Sequence, residues 1–176
     1  INDVIDLSNM DMTKLVFNFK KCDAVVICRN VIDTVKKVKQ TQADVYFVTT
    51  LDSLPLLTDD SRLQQLLINL LINATKFTTE GSITLEIRKE SEDTAIFSVT
   101  DTGCGIPSEN QSRIFNRFEK LNEGAQGTGL GLSICQLIVE QIGGRIWIDP
   151  AYTAGARFMF THPIKPDAAT KNKKPQ

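Results

Sequence analysis

Asn69 and Asn73 lie one helical turn apart in the stretch 61–77, SRLQQLLINLLINATKF, and Lys76 follows close behind. At about 100° per residue, Arg62, Gln65, Asn69, Asn73 and Lys76 fall within roughly 80° of arc. Leu63, Leu66, Leu67, Leu70, Leu71 and Ala74 fill one flank of that stripe, and Ile68 and Ile72 the other. A helix this apolar is expected to be mostly buried, so amides and cations along it need partners. The plain alternative is a solvated stripe, which periodicity alone favours. The residue types shift the balance, because a solvated stripe is normally rich in Glu and Lys. An Asn side-chain oxygen is a hard ligand suited to Mg²⁺, and a lysine one turn on can reach a phosphate.

Two glycine motifs offer further chemistry. Asp101-Thr102-Gly103-Cys104-Gly105-Ile106 ends a predicted strand. A carboxylate there can only accept hydrogen bonds. It would take them from the exocyclic amine of adenine and be repelled by the carbonyl that guanine carries at the same place. A turn with a capping Asp is the plain alternative, and the motif alone is weak. Gly127-Thr128-Gly129-Leu130-Gly131-Leu132 opens a predicted helix, and glycine-rich backbone running into a helix N-terminus can hold an anion. No Lys-Ser/Thr follows the glycines, so this is not a P-loop. An irregular stretch rather than a strand precedes them, which argues against a dinucleotide fingerprint.

The elements that must position these groups can be read along the chain. Alternation over 16–21 predicts a strand, and Asp23 is a good N-cap for a helix to about Lys39. A short β-branched and aromatic strand is expected over 44–49, and Pro55 in a loop. Asp59 or Asp60 then caps the helix over 61–77. A hairpin follows, with strands over 82–89 and 94–101 turning at Ser91-Glu92-Asp93. A helix over 130–142 stops at Gly143-Gly144, and strands over 145–149 and 156–162 close the domain. The order β-α-β-α-β-β-loop-α-β-β predicts an α+β two-layer sandwich, a mixed sheet with helices on one face. The long stretch 102–129 is of a length that compact domains reserve for function.

Composition bounds the rest. The 176 residues suit one domain with modest extensions. Hydrophobic residues make up 41% and charged residues 23%, ordinary for a soluble globular chain. Twenty Lys and Arg stand against 21 Asp and Glu, so no basic footprint for nucleic acid is present. Cys22, Cys28, Cys104 and Cys135 form no CxxC pair and read as thiols of a reducing cytosol. No apolar run approaches the roughly 20 residues that a bilayer requires.

Taken together, NLLINATKFT (69–78), DTGCGI (101–106), IFNRF (114–118) and GTGLGL (127–132) occur in that order. They resemble the N, G1, F and G2 boxes of the ATP-binding catalytic domain of two-component sensor histidine kinases, within the GHKL superfamily of ATPases and kinases that includes gyrase, heat-shock chaperones and mismatch-repair ATPases. Gly143-Gly144-Arg145-Ile146-Trp147 and Gly155-Ala156-Arg157-Phe158 look like that family's closing helix end and strands. The resemblance spans roughly residues 17–163. It implies the Bergerat-type fold and the cofactors ATP and Mg²⁺. It implies that Asn73 holds the metal with Asn69 beside it, that Lys76 binds phosphate, and that Asp101 reads adenine in a base pocket shaped by Gly103, Gly105 and Ile106. Gly127, Thr128, Gly129, Leu130 and Gly131 would carry the phosphates and hinge a lid over about 108–128. Phe115 and Phe118 would pack the lid down, and Arg117 or Lys120 would meet the terminal phosphate. Core packing and a solvated face are the plain alternatives for these last four.

The hydrolytic members of that superfamily place a Glu one turn before the metal-binding Asn. Asn69 occupies the position here, and a neutral amide is a poor base. The resemblance therefore implies slow hydrolysis and transfer of the γ-phosphoryl to a histidine on a dimerising helical hairpin. The chain's one histidine, His162, sits before Pro163 at a strand's end and reads as structural or surface, not as the acceptor. Residues 1–16 are read as the end of the hairpin region, 17–163 as the catalytic domain and 164–176 as a polar tail or linker. Expected partners are the upstream acceptor helices and a response-regulator receiver domain, in a homodimeric parent; nucleic acid is not expected. A cytoplasmic domain is implied, with membrane anchoring of the parent left open. A hydrolytic ATPase would show fast phosphate release, a binding-only module would not bind adenine nucleotides, and an anti-sigma serine kinase would phosphorylate a sigma regulator.

Overall fold

A computed structural model describes residues 15–115 and 131–165. In chain order the elements are β1 (Lys20–Asp23), α1 (Ala24–Val38), β2 (Asp44–Val48), β3 (Pro55–Thr58), α2 (Asp60–Phe77), β4 (Ser82–Ser91), β5 (Thr94–Asp101), a 3-10 turn (Ser108–Asn110), α3 (Gly131–Gln141), β6 (Ile146–Ile148) and β7 (Ala156–Pro163). Five strands form one sheet in the order β2-β4-β5-β7-β6. β2 runs parallel to β4 and the other pairs are antiparallel, so the sheet is mixed.

Period-two alternation puts Ile83, Leu85 and Ile87 of β4, Ala95, Phe97 and Val99 of β5, and Ala156, Phe158 and Phe160 of β7 on one buried face. Phe97 and Phe160 sit opposite each other in the register and stack at 4.5 Å between ring centroids. The three helices cover that face with Val25, Val31 and Val35 from α1, the leucines of α2, and Ile134, Ile138 and Val139 from α3. This is the α+β arrangement that the element order predicts.

Both helix starts fall where their caps predict. Asp23 Oδ1 accepts from the N–H of Val25 at 3.0 Å and of Leu54 at 2.9 Å. Asp59 Oδ1 accepts from Arg62 N at 3.0 Å, and its Oδ2 accepts from Asn18 N at 2.7 Å. Each carboxylate thus satisfies an orphan helix amide and also pins a distant segment. α3 ends as expected, with Gly144 N donating to Val139 O at 2.9 Å.

Two expectations are corrected. The first strand is not 16–21 but Lys20–Asp23, and Pro55 is not in a loop but begins β3, which pairs antiparallel with β1. Proline is tolerated as the first residue of a strand in such a two-stranded ribbon. The aromatic alternation at 17 and 19 has another use: Phe17 and Phe19 stack at 5.6 Å, and the Arg62 guanidinium lies over Phe17.

His162 is structural. It is 1% exposed, with Nε2 2.9 Å from Thr58 Oγ1 and Nδ1 2.8 Å from the Pro163 carbonyl. A carbonyl only accepts, so the network assigns the proton to Nδ1 and makes Nε2 the acceptor from Thr58. Burial pushes its pKa below the ordinary histidine value; the charge of Lys165 adds to this, and the Pro163 carbonyl opposes it. The unfolded chain therefore binds a proton that the folded state refuses. The stability contributed is complete above about pH 6.5 and is lost as pH falls from there through the depressed folded value, at up to about 1.4 kcal/mol per pH unit. Urea unfolding at pH 7.5 and 5.5 should show the loss, and His162→Gln should shrink the difference. An equal pH effect in the variant would remove His162 as its source.

Candidate functional site

The leucine face of α2 is fully buried, and this fixes the helix rotation. Rotation then decides where the opposite stripe goes: Arg62, Gln65, Asn69 and Asn73 are half-buried and Lys76 is exposed. The stripe is not simply solvated. Asn69 Nδ2 is buried and has no hydrogen-bond partner among the described residues. A buried unpaired donor costs about 1–3 kcal/mol, and such sites in native proteins call for a missing acceptor.

Asp101 closes β5 and is 3% exposed. Its Oδ1 accepts from Gly103 N at 2.9 Å and Ala156 N at 3.2 Å. Tyr152 donates its hydroxyl to the Asp101 backbone carbonyl at 3.0 Å. Burial pushes the carboxyl above the usual carboxylate range, and the two backbone N–H groups, with the Thr78 side chain, pull it back. Both backbone bonds fall on Oδ1, so the side chain is anchored through that oxygen.

The turn after Asp101 is built onto the end of α2. Cys104 N donates to the Phe77 carbonyl at 3.2 Å, so the turn caps a helix C-terminus that would otherwise leave carbonyls unpaired. A Cβ on Gly103 would stand 2.1 Å from that same carbonyl oxygen, so only glycine fits there. Gly105 turns the chain at φ +75°, and Ile106 packs against the core. Thr78, the residue just past α2, is fully buried beside this turn. The turn thus brings Asp101 up to the end of the helix that carries Asn69, Asn73 and Lys76.

Gly131 is the first described residue of α3. Arg117, Phe118, Lys120, Gly127, Thr128, Gly129 and Leu130 lie outside the described residues. Phe115 is described and packs edge-on against Phe158 at 6.1 Å, so it belongs to the core margin. A cavity of about 430 Å³ lies at the opposite end of α2, lined by Lys20, Asp59, Arg62 and Gln65 among others; the motif residues do not meet there.

Three contributors escape the sequence reading: Thr78, Tyr152 and Gly155. A Cβ on Gly155 would stand 2.0 Å from the Asp101 carbonyl and 2.9 Å from its Oδ1, so the second loop closes directly over the first. Thr78 and Gly155 both lie within the quoted motif stretches. The neighbour of Gly155 follows only from the Asp101↔Ala156 register, and that of Thr78 from the turn fastened to the end of α2, neither of which one chain read linearly reveals.

Burial pushes the Cys28 thiol up to about 12, with the Asp23 charge adding to it, so it stays protonated. Among the described residues no three His, Cys, Asp or Glu side chains cluster for a metal. No described helix is long and apolar enough to cross a membrane.

The family described as histidine kinase-, DNA gyrase B-, and HSP90-like ATPase matches residues 58–166. The adaptive-response sensory kinase SasA of Nostoc sp. (strain PCC 7120) is 35% identical over 170 residues, which is 94% of this chain and 42% of SasA. The circadian input-output histidine kinase CikA of Synechococcus elongatus is 34% identical over 168 residues, 90% of this chain and 22% of CikA. The chain therefore spans less than half of these relatives. Among solved structures, full-length ShkA in complex with AMPPNP aligns at a TM-score of 0.81 and 26% identity, over 95% of this chain and 36% of ShkA. The catalytic domain of histidine kinase ThkA aligns at 0.74 and 31% identity, over 85% of this chain and 100% of that domain. ThkA has also been solved in complex with the response regulator TrrA, and that ThkA chain aligns at 0.71 and 31% identity, over 85% of this chain and 43% of its own length.

Proposed function

The chain belongs to the histidine kinase-, DNA gyrase B-, and HSP90-like ATPase family, and from that premise we propose that it binds Mg-ATP and passes the γ-phosphoryl to a histidine on partner helices. The observation that carries this is the buried carboxyl of Asp101. Oδ1 is committed to two backbone amides, and its turn is fastened to the helix of Asn69, Asn73 and Lys76. In this reading Asp101 accepts from the adenine amine, Gly103, Gly105 and Ile106 shape the base pocket, and Lys76 meets phosphate. The glycines from Gly127 to Gly131, with Thr128 and Leu130, hold the phosphates. Arg117 or Lys120 reaches the terminal one.

The donor set fits a magnesium ion that arrives with the nucleotide. Asn73 offers a hard, neutral side-chain oxygen, and no described acidic cluster would capture a divalent cation by itself. When bound, the ion neutralises charge on the phosphates. Asn69 lacks the basicity to activate water, which favours transfer over hydrolysis. An imidazole nitrogen of the acceptor would form the new N–P bond while the bond to the ADP oxygen breaks. His162 is not that acceptor, being buried with both ring nitrogens engaged. The acceptor then sits on dimerising helices, with 17–163 the catalytic unit. A receiver domain takes the phosphoryl next, as the ThkA–TrrA complex suggests for this chain's parent.

Calorimetry with ATP and GTP, each with Mg²⁺, tests the pocket. Supplying the helical hairpin then tests transfer, read as acid-labile phosphohistidine. ATP binding without GTP binding, followed by label on the hairpin, is expected. Absence of nucleotide binding, or rapid phosphate release with no label on the hairpin, would overturn the reading.

A further inference from the structure

We propose that Tyr152 is a positioning residue for nucleotide recognition: its hydroxyl fixes the peptide from which Asp101 hangs, so the loop between β6 and β7 sets where that carboxylate stands. The proposal rests on the adenine reading of Asp101. Tyr152 donates to the Asp101 backbone carbonyl at 3.0 Å. Its ring is itself locked. The Arg157 guanidinium lies over it, 4.3 Å from the centroid. That guanidinium donates through Nε to Thr100 Oγ1 at 3.0 Å and through Nη1 to Asp149 Oδ2 at 3.4 Å. Thr100 is the neighbour of Asp101 on β5, and Asp149 begins the loop. The Asp149 carbonyl accepts from Tyr152 N at 3.3 Å. Asp149, Arg157 and Tyr152 thus close on one another and deliver a single donor to a single carbonyl.

Anchoring the loop does not require the hydroxyl. The Arg157 guanidinium would lie over a phenyl ring as well, and the backbone bond to Asp149 would remain. What the hydroxyl adds is a link between the two amides that hold Asp101 Oδ1. One is Gly103 N, which follows the carbonyl that Tyr152 holds. The other is Ala156 N, opposite Asp101 in the register and at the end of the Tyr152 loop. Tilting the peptide after Asp101 would move the first, and lifting the loop would move the second. The Tyr152 hydroxyl ties both to one frame, and the carboxylate takes its direction from them.

Tyr152→Phe removes the donor and keeps the ring. Wild type and variant are compared by amide hydrogen exchange without nucleotide, by a thermal melt, and by calorimetry with Mg²⁺ and two nucleotides. One nucleotide is ATP; the other is purine riboside triphosphate, which lacks the amine. Exchange at Gly103 and Ala156 should quicken by about 3- to 10-fold, and ATP affinity should fall by about as much. The analogue gives Asp101 no amine to accept from, so both proteins should bind it alike. The Tm should stay within about 4 °C of wild type. Unchanged exchange at Gly103 and Ala156, or equal loss on both nucleotides, would overturn the proposal and leave Tyr152 holding only its own loop. If the analogue binds neither protein, the exchange at those two amides decides. Wild type that fails to bind ATP would bring down the adenine reading itself. ATP bound equally well by wild type and Tyr152→Phe would sink the role of Tyr152 alone.

Discussion

Replacing Asp101 with Asn should weaken ATP binding by at least about 100-fold while leaving the domain folded and no less stable. A site built to hydrogen-bond one group rejects a mismatched one by two or more orders of magnitude, because buried polar atoms are left facing their own kind. The geometry makes the substitution unusually clean. Asn keeps an oxygen for the amides of Gly103 and Ala156, which both bond Oδ1. It places an NH₂ where Oδ2 was, and there a donor meets the donor of adenine. The same NH₂ would suit the guanine carbonyl, so affinity should shift toward GTP. Stability should hold or rise, since burial penalises the charged carboxylate in the folded state. With the folded pKa raised, that penalty applies at neutral pH and is relieved as pH falls through the folded value; the amide never incurs it. Calorimetry reads the affinity and a thermal melt the stability. ATP affinity within about threefold of wild type would remove Asp101 from base recognition, whereas a collapsed melt would show that it mainly holds the loop.

The sequence was legible where a local signal and the tertiary outcome agree. The leucine flank of α2 and its capping Asp59 predict both the helix and its rotation, and with rotation comes the placement of Asn69, Asn73 and Lys76. The hairpin of β4 and β5 follows from alternation, and Asp101 is found at its predicted end. What was not legible depends on contacts distant in the chain. β3 is four residues beginning with proline, and it exists because β1 pairs with it. The unpaired Phe17 and Phe19 imitate strand alternation while serving a stack under Arg62. Gly155 looks like an ordinary loop glycine until the β5–β7 register lays it on Asp101. The stretch from Arg117 to Leu130, for which the motif alone predicts phosphate contacts, lies outside the described residues.

Gly103→Ala should damage fold and site together, which separates it from the Asn variant of Asp101. The added Cβ would stand 2.1 Å from the Phe77 carbonyl oxygen, 2.8 Å from its carbon and 2.7 Å from Thr78 Oγ1. The nearest obstacle is backbone, which no rotamer change can move aside. Either the end of α2 must shift or the turn must lift away. Lifting the turn breaks the bond from Cys104 N to Phe77 O and uncaps the helix. Shifting the helix end displaces Lys76 from Asp101, which the turn now holds in place. Overpacking of this kind costs about 1–3 kcal/mol, and for a domain of this size each kcal/mol lowers Tm by roughly 2–4 °C. Nucleotide affinity should fall with stability, by about tenfold or more, since a displacement near 1 Å is enough to spoil such a site. A melt and a titration of the same sample settle it. If Gly103→Ala melts with wild type and binds ATP normally, the turn is looser than its contacts with Phe77 imply. The fastening of Asp101 to α2 would then not be what orients the base pocket.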